Sequence, residues 1–441
     1  MAMPTLRIIS ECFIQPLHAL EESKQPFYLT FWDLLFIHPK FHIQRGLLFA
    51  KPPKPEEASH DQDFMKTLLD RLKHSLSVAL VHFFPFAGRL KTIKNQNPVS
   101  YSFYVDCNDS PGAKFIYATI GMSMSDILSL SDGTSDFVGQ SFFDTDRVVN
   151  DLNTMSLLTV RVTELVDGVF ILCGITHSTV DGNSFWHFFN MWSEIFQAQG
   201  YNTSIISISR PPILKRSFPN ELPSVPVVDD FIKVIPPTPS LRVRRIHFSA
   251  QVLAKLKAKA NEECNTGEIS TFQSLSAFIW RSITRARHLP PSEKTVCMLP
   301  IDARSKSNPP LSQDYFGNRA DMIIEVTTAR QLLEHGLGWS AWKLHQAVVN
   351  FSVKALRSSR DLDRVYPPNS VIVNGSFRFN IFGNEFGMGK PVEYYIDRYK
   401  FNGNVFAHSG KEERSIDLEV CLPHNTMCDL ESDKEFMEAF S

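Results

Sequence analysis

One segment of the chain combines residue types that can move a proton, and it runs from Val169 to Trp186. It contains His177 and, four residues later, Asp181 and Gly182. A neutral imidazole has a pKa near ~6.5 and can take the proton from a hydroxyl or amine while that group attacks an acyl carbon. The residue types therefore allow general-base catalysis at His177, although the spacing alone does not exclude a purely structural histidine.

The elements predicted around His177 favour a fixed position for its side chain. The apolar run from Val169 to Ile175 predicts a buried strand, and Ser156 to Glu164 predicts a partner strand across a turn at Asp167-Gly168. A helix is predicted from about Asn183, because aromatic residues recur on one side of it: Phe185, Phe188, Phe189, Trp192 and Phe196. His177 therefore ends a strand, and Asp181 either fixes the following loop through its own hydrogen bonds or acts only as a turn former.

The rest of the chain predicts a mixed α/β protein in two parts. Apolar residues at helical spacing from Phe64 to Leu76 predict a helix in the first part, and Ser270 with Gln273 forms a capping-box pattern that predicts a helix start in the second. Eight of the 27 prolines lie in residues 202–241, a stretch that cannot hold a long helix or a central strand. We therefore predict an N-terminal domain at 1–201, a Pro-rich crossover linker at 202–241 and a C-terminal domain at 242–441.

Composition and missing motifs exclude several classes of protein. The 45 Lys and Arg residues against 47 Asp and Glu residues give a net charge of −2, which excludes nucleic-acid binding driven by bulk charge. The nucleotide-binding patterns GxxxxGK[ST] and GxGxxG and the hydrolase pattern GxSxG do not occur. The seven cysteines are widely spread, and Cys421, His424 and Cys428 lack a fourth zinc ligand, so neither a disulfide scaffold nor a metal site is predicted. With no signal peptide and no apolar run of ~18–20 residues, the sequence predicts a cytoplasmic protein.

Several segments together carry a family resemblance. The segment from His177 to Gly182 is similar to the HxxxDG motif of the plant BAHD acyl-CoA-dependent acyltransferases, and Glu385 to Pro391 resembles their DFGWGKP motif. Further segments follow the family order: Leu29 to Leu34, Phe84 to Leu90, Phe272 to Arg281, Ile301 to Arg304 and Tyr315 to Asn318. The resemblance therefore covers nearly the whole chain.

The resemblance implies a fold and a reaction. The fold is α/β, with two chloramphenicol-acetyltransferase-like domains joined by a long crossover and a solvent channel between them. The activity is transfer of an acyl group from acyl-CoA to a hydroxyl or an amine of a specialised metabolite, in a ternary complex with His177 as general base. Acyl-CoA is then a co-substrate and no cofactor is bound permanently. A monomer without nucleic-acid or membrane partners is expected.

The resemblance also implies roles at individual positions. Asp181 is expected to point away from the acceptor and pair with Arg304, which braces the loop that carries His177. Asn374 and Ser376 match positions near the reacting carbonyl, where both can donate a hydrogen bond to an oxyanion, and a polar loop is the alternative. The remaining candidates are coenzyme A contacts at Ser270, Thr271, Gly387, Gly389 and Lys390, and an acceptor pocket at Phe31, Phe36 and Phe84, for which core packing is the alternative.

Two departures from the family motif leave other interpretations open. Glu385 replaces an aspartate expected in a buried salt bridge, and Met388 replaces a tryptophan, which removes a flat surface and an N–H donor. A CoA-independent lyase or intramolecular transferase that uses His177 is therefore a second interpretation. A non-catalytic small-molecule-binding protein is a third, against which His177, Asp181 and Arg304 argue. A basic cluster is interpreted as a solvated surface, with contact to coenzyme A phosphates as the alternative: Arg242, Arg244, Arg245, Lys255, Lys257 and Lys259.

Overall fold

The computed structural model describes residues 4–37, 41–53, 61–97, 99–129, 137–143, 154–198, 208–216, 222–225, 241–352, 369–396 and 401–439. The strands of the first half are β1 (Arg7–Ile14), β2 (Phe27–Tyr28), β3 (His42–Ala50), β4 (Arg89–Gln96), β5 (Val99–Asp106), β6 (Ala113–Thr119), β7 (Leu158–Glu164) and β8 (Gly168–Thr176). Its helices are α1 (Phe31–Leu34), α2 (Asp61–His82), α3 (Met124–Ser129), α4 (Phe137–Phe142) and α5 (Gly182–Ala198). Short 3₁₀ helices occupy Glu21–Lys24 and Phe84–Ala87.

The second half repeats this mixture of strands and helices. Its strands are β9 (Leu241–Phe248), β10 (Lys294–Asp302), β11 (Ala320–Thr328), β12 (Ser370–Gly375), β13 (Glu393–Ile396), β14 (Asn404–Ser409) and β15 (Ile416–Pro423). Its helices are α6 (Ala250–Glu263), α7 (Thr271–Ala286), α8 (Ala329–Glu334), α9 (Leu337–Val349), α10 (His424–Ser432) and α11 (Lys434–Glu438). In the parts of the chain described above, no helix is both long enough and apolar enough to cross a membrane.

Two six-stranded sheets organise the molecule. The first has the strand order β1-β6-β7-β8-β3-β13, and the second has the order β11-β10-β12-β14-β15-β9. A separate three-stranded sheet has the order β2-β5-β4. In the first sheet β8 lies between β7 and β3 and is buried along its whole length, as an uninterrupted apolar run requires.

Each large sheet has its own hydrophobic core. In the first half, α2 and α5 pack on the sheet through residues that repeat at helical spacing, including Leu68, Leu72, Phe185 and Phe189. In the second half, residues of α6, α7, α9 and α10 form a second core against the other sheet, with Trp280 fully buried in its centre. The start of α7 is as predicted, because Ser270 accepts from the Gln273 N–H while the Gln273 side chain accepts from the Ser270 N–H.

One strand crosses between the two halves. β13 belongs by sequence to the predicted C-terminal domain, but it pairs antiparallel with β3 and forms the edge of the first sheet. Phe386 and Tyr394 of the same segment lie in the first hydrophobic core. The division at residue 242 therefore does not hold for this segment, which completes the sheet of the first half and buries its apolar side chains there.

The crossover linker contacts both halves where it is described. Ile213 forms a parallel bridge with Tyr315, and Val225 forms an antiparallel bridge with Tyr101. Residues 208–216, 222–225 and 241 of the 202–241 stretch are described and the others are not, so the boundaries of the linker stay predictions.

Candidate active site

His177 is the first residue after β8, at the end of a strand that is held on both sides. Its backbone N–H donates to the Phe41 carbonyl at 2.8 Å, and its own carbonyl accepts from Asn318 Nδ2 at 2.8 Å. The Phe36 ring stacks on the imidazole with 3.8 Å between centroids and an interplanar angle of 11°. Two backbone hydrogen bonds and one ring contact therefore restrict the position of His177.

Burial determines the protonation state of the His177 ring. Nδ1 is buried without a hydrogen-bond partner among the described residues, and the histidine as a whole is half-buried. Burial lowers the pKa of His177; its own carbonyl, Asp181 and the Asn318 side chain act in the opposite direction, and Arg45 reinforces the lowering. The imidazole is consequently neutral at pH 7, which is the form that can accept a proton.

Asp181 and Arg304 form a buried, two-pronged ion pair. Arg304 Nη1 lies 2.7 Å from Asp181 Oδ2, and Arg304 Nη2 lies 3.0 Å from Asp181 Oδ1. The backbone N–H groups of Ser184 and Arg319 donate to the same carboxylate, each at 2.9 Å. Burial alone would raise the pKa of Asp181, but Arg304 and these donors hold it below its usual range. The pairing predicted from the sequence is thus present, and the occupied carboxylate cannot also serve His177 as a proton acceptor.

Arg304 in turn is fixed from several directions. Its guanidinium donates to Asp302 Oδ1 at 3.0 Å, to the Tyr315 carbonyl at 3.1 Å and to the Gly317 carbonyl at 2.9 Å. Burial would lower the pKa of Arg304, yet Asp181 and Asp302 raise it above its ordinary value. The loop after β8 is thereby tied to the Tyr315–Asn318 segment of the second half.

Sequence reasoning missed a second set of buried polar residues beside this loop. Asp33 is fully buried at the start of α1 and accepts hydrogen bonds from Asn318, which also contacts the His177 carbonyl. The Thr30-x-x-Asp33 capping pattern was a local signal for Asp33, because Thr30 and Asp33 cap α1 reciprocally. Asn318 ends the Tyr315–Asn318 segment of the family resemblance, but no local pattern there predicts its contact with Asp33 and His177.

The two candidate carbonyl donors differ in what they can offer. Asn374 Nδ2 already donates to Asn404 Oδ1 at 2.7 Å and to the Val405 carbonyl at 3.2 Å, which uses both of its hydrogens. Ser376 follows β12, and its backbone N–H donates to the Ala407 carbonyl at 2.7 Å. Both hydrogens of the Asn374 amide are thus already engaged, and an oxyanion role of either residue stays a prediction.

A short loop after β12 joins the His177 side of the site to the start of α7. Phe379 lies 6.2 Å from Trp186 of α5 between ring centroids, and Phe377 lies 4.9 Å from Phe272 of α7. Ser270 and Thr271, the two coenzyme A candidates from this region, directly precede Phe272 at the start of α7. Ser270 is exposed and Thr271 is half-buried.

The other coenzyme A candidates lie at a different place. Gly387 is beside Phe196, near the C-terminal end of α5, whereas His177 precedes the N-terminal end of that helix, about 20 Å away along its axis. Gly387 and Gly389 adopt φ values of +73° and +75°, and Lys390 is exposed. The structure does not bring Gly387, Gly389 and Lys390 together with His177.

The motif that contains these glycines is anchored through its aromatic residue. Phe386 is fully buried and contacts Phe189, Trp192 and Phe196 of α5 with centroid distances of 5.5, 4.7 and 5.5 Å. Glu385 is half-buried, and no residue that the structure describes supplies the salt bridge expected at this position. Met388 packs at the edge of the first core.

The three phenylalanines predicted to line the acceptor pocket lie in different places. Phe36 contacts the His177 ring, as described above. Phe31 is half-buried at the start of α1 and packs on the first core. Phe84 is buried, and its carbonyl accepts from the Cys107 thiol at 3.4 Å, beyond the end of β5. The structure does not bring Phe84 to His177.

The basic cluster divides into paired arginines and exposed lysines. Arg242 and Arg244 bind Glu431, and Arg245 binds Glu393 at 3.1 Å and Glu419 at 2.9 Å. The lysines are exposed on α6: Lys255, Lys257 and Lys259. Acidic side chains therefore already neutralise the arginines that the alternative interpretation assigned to coenzyme A phosphates.

The cysteine and histidine residues near the C-terminus do not assemble a metal centre. His424 and Cys428 are neighbours on α10, with 3.7 Å between Nε2 and Sγ, whereas Cys421 is buried in β15. Within the described ranges no three His, Cys, Asp or Glu side chains are grouped so as to hold a metal ion.

Comparisons with known proteins agree over the whole chain. The family model described as the transferase family matches residues 5–437. An uncharacterized acetyltransferase from Arabidopsis thaliana is 33% identical and covers 99% of both chains, and the BAHD acyltransferase DCR of the same plant is 29% identical over 98% of this chain and 92% of its own. The crystal structure of vinorine synthase matches with a TM-score of 0.76 at 19% identity over 99% of both chains. TRI101 of F. sporotrichioides, solved with coenzyme A and T-2, matches with a TM-score of 0.69 at 16% identity over 94% of this chain and 98% of that chain.

The two sheet-rich halves and the family match together place the chain in the class of two-domain α/β transferases. Because the family model matches nearly the whole chain and the plant relatives align over almost their full length, the chain belongs to the BAHD acyltransferase family. The α/β fold with two domains of this kind, predicted from the sequence, is confirmed.

Proposed function

We propose that this acyltransferase moves an acyl group from acyl-CoA to a hydroxyl or amine of a small specialised metabolite. The observation that carries the proposal is the state of His177, a half-buried imidazole with a lowered pKa on a loop fixed by the Asp181–Arg304 pair. A base in this state accepts one proton without changing its position. Of the two acceptors we favour the hydroxyl, because a neutral alcohol depends on such a base more than an amine does.

The reaction follows from this geometry in two proton movements. His177 Nε2 takes the proton from the acceptor while the acceptor oxygen or nitrogen forms a bond to the thioester carbonyl carbon. The carbonyl oxygen becomes an oxyanion, to which the Ser376 hydroxyl is our first candidate donor and Asn374 our second. The intermediate collapses with cleavage of the C–S bond, and the imidazolium returns its proton to the coenzyme A thiolate. No acyl-enzyme is needed, because the donor is already activated.

Coenzyme A is proposed to approach from the α7 side of the site. A structural relative binds coenzyme A, and Ser270 with Thr271 starts the helix that the Phe377–Phe272 contact joins to the loop after β12. The partial positive charge at a helix N-terminus favours phosphate groups. We assign an indirect role to Gly387, Gly389 and Lys390. Their segment is anchored by Phe386 in the first hydrophobic core and supports the structure of the first half. Phe36 is proposed to line the acceptor pocket, together with Phe31; Phe84 stays a prediction.

Thermal unfolding with added ligands tests the proposal. Coenzyme A and a panel of acyl-CoAs at about 100 times their Kd should stabilise the protein by about 2.7 kcal/mol, which raises the Tm by several degrees. Release of coenzyme A thiol should then depend on an added alcohol or amine and disappear in His177→Ala. If no ligand raises the Tm but the protein has an activity that depends on His177, the result would instead support a lyase or an intramolecular transferase. A flat response without any turnover would support a binding protein.

A monomeric state and a cytoplasmic location complete the proposal, as the sequence predicts. Size-exclusion chromatography with light scattering and imaging of a tagged protein test them.

A further inference from the structure

The His177 carbonyl is held by a residue from the other half of the chain. Asn318 is 1% exposed, and its Nδ2 donates to the His177 carbonyl at 2.8 Å and to Asp33 Oδ1 at 3.0 Å. Both partners are acceptors only, so the amide must present its NH₂ group to them. Asn318 Oδ1 has no hydrogen-bond partner among the described residues. The two hydrogen bonds of this side chain are therefore donated by its NH₂ group, and the side chain also favours the protonated form of His177.

Asp33 fixes the orientation of that amide. Its Oδ1 accepts from both the backbone N–H and the side chain of Asn318, each at 3.0 Å. Its Oδ2 accepts from the Thr30 N–H and the Thr30 hydroxyl, each at 2.7 Å, and from Arg216. Every oxygen of a fully buried carboxylate is thus occupied, which leaves Asp33 a single position.

Arg216 connects this network to the crossover linker. Its guanidinium lies over the Phe27 ring, 4.2 Å from the centroid, and binds Asp33 in a buried ion pair. It also lies against the backbone of Gly317, where a Cβ atom would approach Nη2 to 2.8 Å and where φ is +138°. A glycine is therefore required next to Asn318 for Arg216 to fit.

We propose that Asn318 is a positioning residue for His177, held by Asp33 and, through Asp33, by Arg216 of the crossover linker. The inference rests on the proposed function, because it takes His177 as the base. The Asp181–Arg304 pair holds the loop four residues later, whereas Asn318 holds the backbone of the histidine itself. When the carbonyl is released, the peptide after His177 can rotate and carry the imidazole away from the attacking geometry. The loss then falls on turnover and not on donor binding.

Steady-state kinetics of Asn318→Ala test the proposal. The kcat should fall about 10- to 100-fold while the KM for acyl-CoA stays within about twofold, as expected for a misplaced catalytic group. In a His177→Ala background the same substitution should cause no further loss, because it acts through the histidine. Circular dichroism and Tm establish that each variant is folded, and Asn318→Ser replaces the alanine variant if the latter does not fold.

Arg210→Ala is the matched control. Arg210 is on the same stretch of the linker and binds Asp314 at 2.5 Å, but its side chain is half exposed. Its removal should leave kcat near that of the wild type. An undiminished kcat in Asn318→Ala, or equal losses with and without His177, would overturn the inference while leaving the proposed function intact.

A spectroscopic measurement separates this inference from the proposed function. If the wild-type protein transfers no acyl group, the proposed function fails, and the ¹⁵N signals of the His177 ring, assigned with His177→Gln, test the positioning role. The charged groups that act on His177 are Asp181 and Arg45, and both remain in Asn318→Ala. Because the Asn318 side chain raises the pKa of His177, its removal should lower that pKa. A titration identical to that of the wild type would contradict the positioning role.

Discussion

At the scale of single residues, His177 is held both at its ring and at its backbone. Nδ1 is buried, and Phe36 stacks on one face of the ring. Under the proposed function, the reaction depends on proton transfer to the other ring nitrogen, Nε2.

Replacing His177 with alanine tests this dependence. We expect kcat to fall by about 10²–10⁴ because one general base is lost, while the fold stays intact because the residue lies at a strand end and not in the centre of the core. Turnover with a matched acyl-CoA and acceptor is measured beside far-UV circular dichroism and Tm. A folded variant with most of its activity would show that another group acts as the base.

The pH dependence of activity follows from the lowered pKa of His177. A lowered pKa means that the neutral, basic form persists below the ordinary value, so the acid limb of the kcat/KM profile should lie below pH ~6.5. Arg45 contributes to the lowering, and Arg45→Met should therefore move the limb towards higher pH. Initial rates from pH 5 to 8 measure the acid limb of the wild type and that of Arg45→Met. An acid limb above pH ~6.5 in the wild type would contradict the burial of the ring.

At the scale of elements, the loop between β8 and α5 is held from the second half of the chain. Arg304 and Arg319 follow β10 and precede β11, and both donate to Asp181. Contacts from the second half therefore fix the position of this loop, and its rigidity depends on both halves of the chain.

A double-mutant cycle on Asp181 and Arg304 measures this coupling. Asp181→Asn takes the two-pronged carboxylate from the buried Arg304 guanidinium and leaves only the more exposed Asp302, so it should cost about 3–5 kcal/mol of unfolding free energy, with a loss of activity. The double variant Asp181→Asn with Arg304→Ala should cost about 0.5–3 kcal/mol less than the sum of the single variants. Urea unfolding and turnover are measured for all four proteins. Lys343→Ala, which breaks the half-exposed pair with Glu325, is the control and should cost less than about 1 kcal/mol. Additive losses would mean that the two side chains act independently.

At the scale of the whole molecule, β13 and Arg245 join the two sheets. β13 extends the first sheet, and Arg245 of β9 in the second sheet binds Glu393 of β13 and Glu419 of β15. Burial would lower the pKa of Arg245, but the two carboxylates raise it above its ordinary value. The halves are therefore tied by backbone pairing and by a buried charge network at the same place.

Removal of Arg245 should weaken this junction. Arg245→Met takes the positive charge from between two buried carboxylates and should lower the unfolding free energy by about 3–5 kcal/mol. Arg244→Ala on the same strand is the matched control, because Arg244 is half exposed in its pair with Glu431 and should cost less than about 1 kcal/mol. Urea unfolding followed by tryptophan fluorescence gives both values. Equal effects of the two substitutions would show that the buried network contributes nothing to the junction.

The sequence by itself determined the local elements and the family. The apolar run before His177, the aromatic spacing of α5 and the Ser270–Gln273 capping box all depend on residues a few positions apart, so their periodicity identifies them. The order of the motifs was sufficient to indicate the BAHD family and to pair Asp181 with Arg304. These predictions succeeded because each rests on a local pattern or on a position-by-position match.

Only the tertiary structure decided which remote residues surround the site. Asp33 and Asn318 are 285 residues apart, and no local pattern marks their contact beside His177. Three other features likewise cannot be predicted from the order of residues. They are the pairing of β13 with the first sheet, the hydrogen bonds of the Asn374 amide to β14 and the distance of Gly387 from His177. The physical reason is that burial leaves a polar group no solvent, so its partner is whichever group the packed chain brings within hydrogen-bond distance.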